Sequence, residues 1–189
     1  INFYYFKNVE LTANSATATY DGKEHEAVGV ETYEFTVEGN SYTVSGLSTE
    51  DPKQKDAGSY TNNITGTPVV TDKEGNVVTS EFEVKTENGS LEIGKAAVTL
   101  KSATLSKKYD GNALVNGDTA LEIESGFAEG EGATYNFTGS QTVVGSSANA
   151  FSYELNSNTN IDNYAISKQE GTLTVTNREA KYEITVKAN

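Results

Sequence analysis

Val9-Glu10-Leu11-Thr12-Ala13-Asn14-Ser15-Ala16-Thr17-Ala18-Thr19-Tyr20-Asp21-Gly22 decides how this chain is read, because Val98-Thr99-Leu100-Lys101-Ser102-Ala103-Thr104-Leu105-Ser106-Lys107-Lys108-Tyr109-Asp110-Gly111 repeats its pattern at the same internal spacing. The closing segments match as well: Gly89-Ser90-Leu91-Glu92-Ile93 answers Gly171-Thr172-Leu173-Thr174-Val175. Tyr182-Glu183-Ile184-Thr185-Val186 then opens the pattern again. A chain built this way is a slice of a tandem array. Arrays of small modules extend reach or multiply weak binding, whereas an enzyme concentrates its chemistry in one place.

Working outward from the repeats, residues 1–8 form a lead-in, 9–95 a first β repeat, 96–177 a second, and 178–189 the start of a third. The junctions at Gly94-Lys95-Ala96-Ala97 and Asn177-Arg178-Glu179-Ala180-Lys181 are short and are not Pro or Gly/Ser tracts. That composition predicts modules held end to end with limited freedom.

Apolar residues fall at alternate positions in short runs, as in Tyr33-Glu34-Phe35-Thr36-Val37 followed by Glu38-Gly39-Asn40 and Ser41-Tyr42-Thr43-Val44, which predicts a hairpin. A second hairpin is expected across Asp72-Lys73-Glu74-Gly75-Asn76, with positive φ at Gly75 and Asn76. In the second copy, Tyr135–Thr138 and Gln141–Val144 flank a turn at Gly139-Ser140. Short helices are expected only around Ser48–Pro52 and Thr119–Ile123. The fold class that follows is all-β: two tandem immunoglobulin-like β-sandwich domains arranged end to end, with β-grasp-like modules carrying one short helix as the alternative. Asp56-Ala57-Gly58-Ser59-Tyr60 has the form of a tyrosine corner, in which the hydroxyl ties back to the backbone, and the looser counterpart in the second copy runs to Tyr153.

Composition narrows function. A formal charge of −13 argues against nucleic acid and anionic membranes as partners, since both are bound through Lys and Arg. The absence of Cys removes disulfides, thiolate zinc sites and a cysteine nucleophile. No apolar run approaches the roughly 20 residues of a membrane helix, so membrane insertion is not expected. The single histidine, His25, lacks the partners of a catalytic triad or a two-histidine metal site and is expected on an exposed strand. Glu24/Glu26, Glu50/Asp51 and Glu129/Glu131 have the chemistry of a glycosidase acid/base pair, but they do not recur between copies and are expected as solvated faces. Asp72–Asn76 and Asn158–Asn163 are oxygen-rich in the manner of calcium loops without the full ligand pattern. Lys7 and Lys101 on first strands would suit a lysine–asparagine crosslink to a late strand. No catalytic, cofactor-binding or metal residue is nominated. The residues singled out are structural: Tyr20, Asp21, Gly22, Tyr60, Tyr109, Asp110, Gly111 and Tyr153. In each Tyr-Asp-Gly the expected roles are a packed Tyr, an Asp bonding its own turn, and a left-handed Gly.

Thr19-Tyr20-Asp21-Gly22-Lys23, Lys108-Tyr109-Asp110-Gly111-Asn112, Thr138–Ser147, Asn163-Tyr164-Ala165-Ile166-Ser167 and Glu170-Gly171-Thr172-Leu173-Thr174-Val175 together resemble the YDG/MBG-type tandem repeats of bacterial cell-surface, adhesin-like proteins. The resemblance spans Val9 to Asn177 and implies a secreted or wall-attached protein, from a Gram-positive bacterium. It implies partners among neighbouring repeats, and glycan, mucin or extracellular-matrix protein as ligands. The resulting expectation is a non-catalytic stalk or spacer presenting a distal head. Its alternatives are a weak multivalent binding module and an accessory carbohydrate-binding module of a glycoside hydrolase.

Overall fold

The computed structural model describes residues 5–178. The expected third repeat beyond Arg178, and Phe3 and Tyr4 of the aromatic start, lie outside the described residues. The chain divides between Lys95 and Ala96 into two units. The first holds β1 (Lys7–Thr12), β2 (Ala16–Thr19), β3 (His25–Glu26), β4 (Glu34–Val37), β5 (Asn40–Thr49), β6 (Lys53–Gln54), β7 (Gly58–Asn62), β8 (Ile64–Asp72), β9 (Phe82–Glu87) and β10 (Gly89–Gly94). The second holds β11 (Ala96–Lys101), β12 (Leu105–Lys108), β13 (Leu114–Val115), β14 (Ile123–Ser125), β15 (Ala133–Phe137), β16 (Ser140–Gln141), β17 (Gly145–Ala148), β18 (Phe151–Leu155), β19 (Tyr164–Gln169) and β20 (Thr172–Thr176). The described residues are therefore all-β, as alternation predicts. The sites expected to be helical are not. Ser48 and Thr49 end β5, Asp51 turns the chain at φ 51°, and Ile123 opens β14. The only helical turns among the described residues are two 3-10 segments, Thr79–Glu81 and Ile161–Asn163.

The organising feature of each unit is a parallel ladder between its first and last strands. Lys7 to Thr12 pair with Phe82 to Glu87, and Ala16 to Thr19 pair with Leu91 to Gly94, both at an offset of 75 residues. The second unit repeats this at an offset of 68, from Ala96–Tyr164 to Lys108–Thr176. Each ladder kinks midway, at Ala13-Asn14-Ser15 and at Ser102-Ala103-Thr104, and passes from one small sheet to another without changing register. β7 and β17 add antiparallel to the last strand beyond the kink.

Burial follows the pleat. In β10, Gly89, Leu91 and Ile93 point inward while Glu92 stays exposed, and β11 buries Ala96, Val98 and Leu100. Residues alternating in this way put one face on the core and one in water. In the first unit Leu11, Tyr42, Val44, Val70 and Phe82 form a core where the β4–β5–β8 sheet covers the β1–β9 pair. Phe35 stacks on Tyr42 at 5.5 Å, and Phe82 meets both rings edge-on.

The first hairpin forms as predicted: Val37 pairs with Asn40, and Glu38 and Gly39 both take positive φ, 49° and 79°. Two left-handed residues in a two-residue loop match the twist of the flanking strands. At the second, only Gly75 is left-handed, and pairing beyond the turn shrinks to a bridge between Thr71 and Val77 before the 3-10 turn begins. In the second copy the expected hairpin at Gly139-Ser140 does not form. β15 pairs with β18 instead, Phe137 opposite Phe151, and β16 pairs with β13. Gly139 lies too close to the backbone of Ala148–Ala150 for a hairpin tip: an added Cβ would sit 2.6 Å from the Ala150 nitrogen.

Candidate functional site

The recurring residues converge on the two kinks and on the turns that end the first strands. At each kink the last strand carries a glycine, Gly89 or Gly171. A Cβ on Gly89 would collide with the carbonyl oxygens of Ala13 and Asn14, and one on Gly171 with those of Ser102 and Ala103. Neither glycine has positive φ; the requirement is close backbone approach. This is the physical reason for glycine in both closing motifs.

Beside each kink sits a buried asparagine that sequence reading did not single out. Asn62, with no exposed surface, donates through Nδ2 to the carbonyls of Asn14 (3.1 Å) and Gly29 (3.3 Å) and accepts the Asp51 N–H at 3.0 Å. Asn149, equally buried, donates to the Ala103 carbonyl at 2.8 Å and to Asn116 Oδ1 at 2.6 Å. The two amides thus clip equivalent carbonyls of the two first strands. Ser102 adds a second clip in the later unit: its Oγ donates to the Asn149 carbonyl (2.6 Å) and accepts the Gly171 N–H (2.9 Å). The signal was present as Ser59-x-x-Asn62 and Ser146-x-x-Asn149.

At the end of each first strand the Tyr-Asp-Gly runs form matching turns. Tyr20 and Tyr109 donate their N–H to the carbonyls of Gly94 and Thr176, both at 2.8 Å. Asp21 Oδ1 accepts the Lys23 N–H and Asp110 Oδ1 the Asn112 N–H, both at 2.9 Å, while Gly22 and Gly111 take φ of 79° and 87°. The Lys23 N–H, with His25 Nε2 at 2.9 Å, holds the Asp21 carboxyl below its ordinary pKa. The Lys107 ammonium at 2.8 Å, with the Asn112 N–H, does the same for Asp110. The tyrosines diverge: Tyr20 is 4% exposed and Tyr109 39%. Tyr60 Oη donates to the Asp56 carbonyl at 3.0 Å, and its ring folds over Gly58, where a Cβ would lie 2.9 Å from the hydroxyl. Tyr60 stands opposite Leu91 on β10; the position opposite Leu173 on β20 is Ser147. Tyr153 lies on β18, across from Tyr135.

Most of the other candidates are held by protein partners. Asp72 accepts the N–H groups of Glu74 and Asn76 and the Asn76 side-chain amide, which together hold its carboxyl low. In Asn158–Asn163, Asn158 Nδ2 donates to the Gly130 carbonyl and Asn160 Oδ1 accepts the Asp162 N–H. Among the described residues no group of three or more His, Asp or Glu side chains is placed to hold a metal ion. Glu24 pairs with Lys53, Glu50 accepts from Asn63, Asp51 from Gly29 and Thr49, and Glu131 from the Tyr164 hydroxyl. Lys7 pairs with Glu81 and lies over the Tyr42 and Phe82 rings; Lys101 pairs with Glu122. Across the ladder these lysines face Phe82 and Gln169, with no asparagine opposite.

A concavity of about 430 Å³ opens along β4 and β5 in the first unit, where Glu34, Phe35, Thr36, Ser41, Tyr42 and Lys73 are among the residues that line it. Exposed aromatic side chains among the described residues are Tyr5, Phe6, Tyr33 and Tyr109, which do not occupy matching positions in the two units. No helix among the described residues is long and apolar enough to cross a membrane. No protein-family model, curated protein or solved structure matches this chain.

Proposed function

We propose that this chain is a non-catalytic repeat segment of a bacterial surface protein and serves as a stalk or spacer that presents a distal head. The observation that carries the reading is the parallel ladder. Because the first and last strands of a unit run side by side in the same direction, the chain enters a unit at one end and leaves it at the other. For the first unit, the kinked ladder from Lys7 to Thr19 has a contour length of about 40 Å at ~3.3 Å per residue. Tension on the ends of such a unit shears the ladder, so its hydrogen bonds resist together and not one by one. A unit of this design adds length and carries load, and the register is the same on both sides of each kink. The resemblance to YDG/MBG-type repeats and the acidic charge of −13, which keeps crowded chains apart, agree with that role.

Recognition of glycan, mucin or matrix protein by each copy is the alternative. It is supported less, because multivalent binding calls for matching exposed side chains and the exposed aromatics differ between the units. The discriminating experiment has two arms: pulling the chain from its ends one molecule at a time, and screening it immobilised against glycans, mucin and matrix proteins at physiological salt. Resistance to extension with no saturable ligand supports the spacer. Saturable binding combined with extension at negligible force overturns it in favour of recognition.

A further inference from the structure

We infer that the two units form a mechanical hierarchy in which the first yields before the second, so that the chain lengthens in a defined order under tension. This rests on the load-carrying reading above and adds to it an order set by sheet topology.

The difference lies in how many neighbours each first strand has before the kink. β11 is the middle strand of the β14–β11–β19 sheet. One edge of it pairs with Tyr164 to Gln169, and the other pairs antiparallel with β14, at Thr99–Ser125, Leu100–Glu124 and Lys101–Ile123. The Glu122 N–H extends that side by bonding the Lys101 carbonyl at 2.8 Å, and the Lys101 ammonium pairs with the Glu122 carboxylate, also at 2.8 Å. β1, in contrast, belongs to a two-stranded sheet with β9. Among the described residues its other edge meets the chain where the strand ends, at the bridge between Ala13 and Val30. Two backbone bonds, Glu31 N–H to Thr12 and Asn14 N–H to Gly29, and the Asn14 amide at Val28 and Val30 complete that contact.

The kinks differ in the same sense. Ser102 fastens its kink through a buried hydroxyl that bridges Asn149 and Gly171, whereas the equivalent position in the first unit is Ala13, which has no polar side-chain atom. Beyond the kinks the units are alike, since β2 and β12 are both edge strands held by β10 and β20. Sliding the first strand past the last therefore breaks one ladder and the end contact at Ala13–Val30 in the first unit, and two ladders in the second. When the first unit yields it releases the chain between Lys7 and Gly94, at most roughly 300 Å when extended.

The test pulls the whole chain from its ends after a 20-residue Gly/Ser insertion between Glu38 and Gly39, the exposed tip of the first hairpin, where inserted chain is tolerated. The insertion labels the first unit by adding about 70 Å to its length gain alone. The expected result is that the labelled event is the lower-force one in nearly every trace. A labelled event at the higher force, or two events at equal force, overturns the hierarchy while leaving the spacer reading intact. Extension without resistance from either unit overturns both. Ser125→Pro, which strips the rung opposite Thr99 between β14 and β11, is expected to bring the unlabelled event down towards the labelled one. If a Ser125→Pro chain with an unchanged far-ultraviolet spectrum keeps its high-force event, the assigned cause is wrong.

Discussion

Replacing Gly171 by Ala tests the close approach of the two strands at the second kink. The added methyl would collide with the Ser102 and Ala103 carbonyl oxygens, which are backbone atoms and cannot swing aside. Overpacking of this kind costs about 1–3 kcal/mol where side chains give way, and backbone contacts place this case at the upper end. The shift that relieves it also strains the bond from the Gly171 N–H to Ser102 Oγ and that from the Asn149 N–H to the Gly171 carbonyl, each worth about 1 kcal/mol. The expected loss is about 3–5 kcal/mol for the second unit. For a unit of this size that corresponds to a fall of roughly 12–40 °C in its melting transition. Calorimetry on the whole chain, with amide exchange to assign each transition to a unit, reads the effect. Gly94→Ala is the control: its Cβ would meet only the Ala18 carbonyl oxygen, at an ordinary 3.7 Å, and the change is expected within about 0.5 kcal/mol of neutral. A Gly171→Ala loss no larger than that of the control would refute the argument that steric approach sets this residue.

Three further outcomes are expected. Asn62→Ala leaves the Asn14 and Gly29 carbonyls and the Asp51 N–H without their partner, and urea titration should show the first unit destabilised by about 2–3 kcal/mol, with the second unchanged. Tyr60→Phe removes only the bond to the Asp56 carbonyl and should cost about 0.5–1.5 kcal/mol in the same assay; no change at all would mean that the reach-back contributes nothing. Asp21, Asp51, Asp72, Asp110 and Glu170 all have carboxyl pKa values lowered by hydrogen-bond donors or a lysine, so the unfolded chain binds more protons than the folded one through the carboxylate range. Thermal stability should accordingly hold from neutral pH down to about pH 4–5 and fall below it, and a melting temperature that rises on acidification would contradict these assignments.

Features set by neighbouring residues were legible from sequence. Glu38-Gly39 between alternating runs specifies its hairpin, and Asp followed by Gly specifies the turns after Tyr20 and Tyr109, because in each case the side chain or the free φ acts within four residues. The parallel ladder is not local: Lys7 and Phe82 carry nothing that announces one another across the intervening chain. Yet the first and last motifs are the best-matched segments of the two copies, and the ladder explains why, since they are partners whose register must agree. Asn62 and Asn149 stayed hidden because loops of different length precede them, which blurs their equivalence. The helices expected near Pro52 and Leu121 rested on short-range propensity; instead Thr49 and Ile123 at their flanks pair with distant strands and the residues between turn the chain. The Gly139-Ser140 hairpin failed for a related reason: β18, with Phe151 and Tyr153 facing Phe137 and Tyr135, offers β15 a larger apolar partner than β16 does.

The pairing of first strand with last also governs when a unit can come into being. Each ladder joins residues 75 or 68 positions apart, so while the chain is being made the opening strand lacks its parallel partner until the closing one follows. At ~5–20 residues per second that wait is about 4–15 s for the first unit. Contacts of such long range also fold slowly once they are available. A growing or threading chain is thus left pliable through each repeat and stiffens only as the repeat is completed, one whole unit at a time from the amino end.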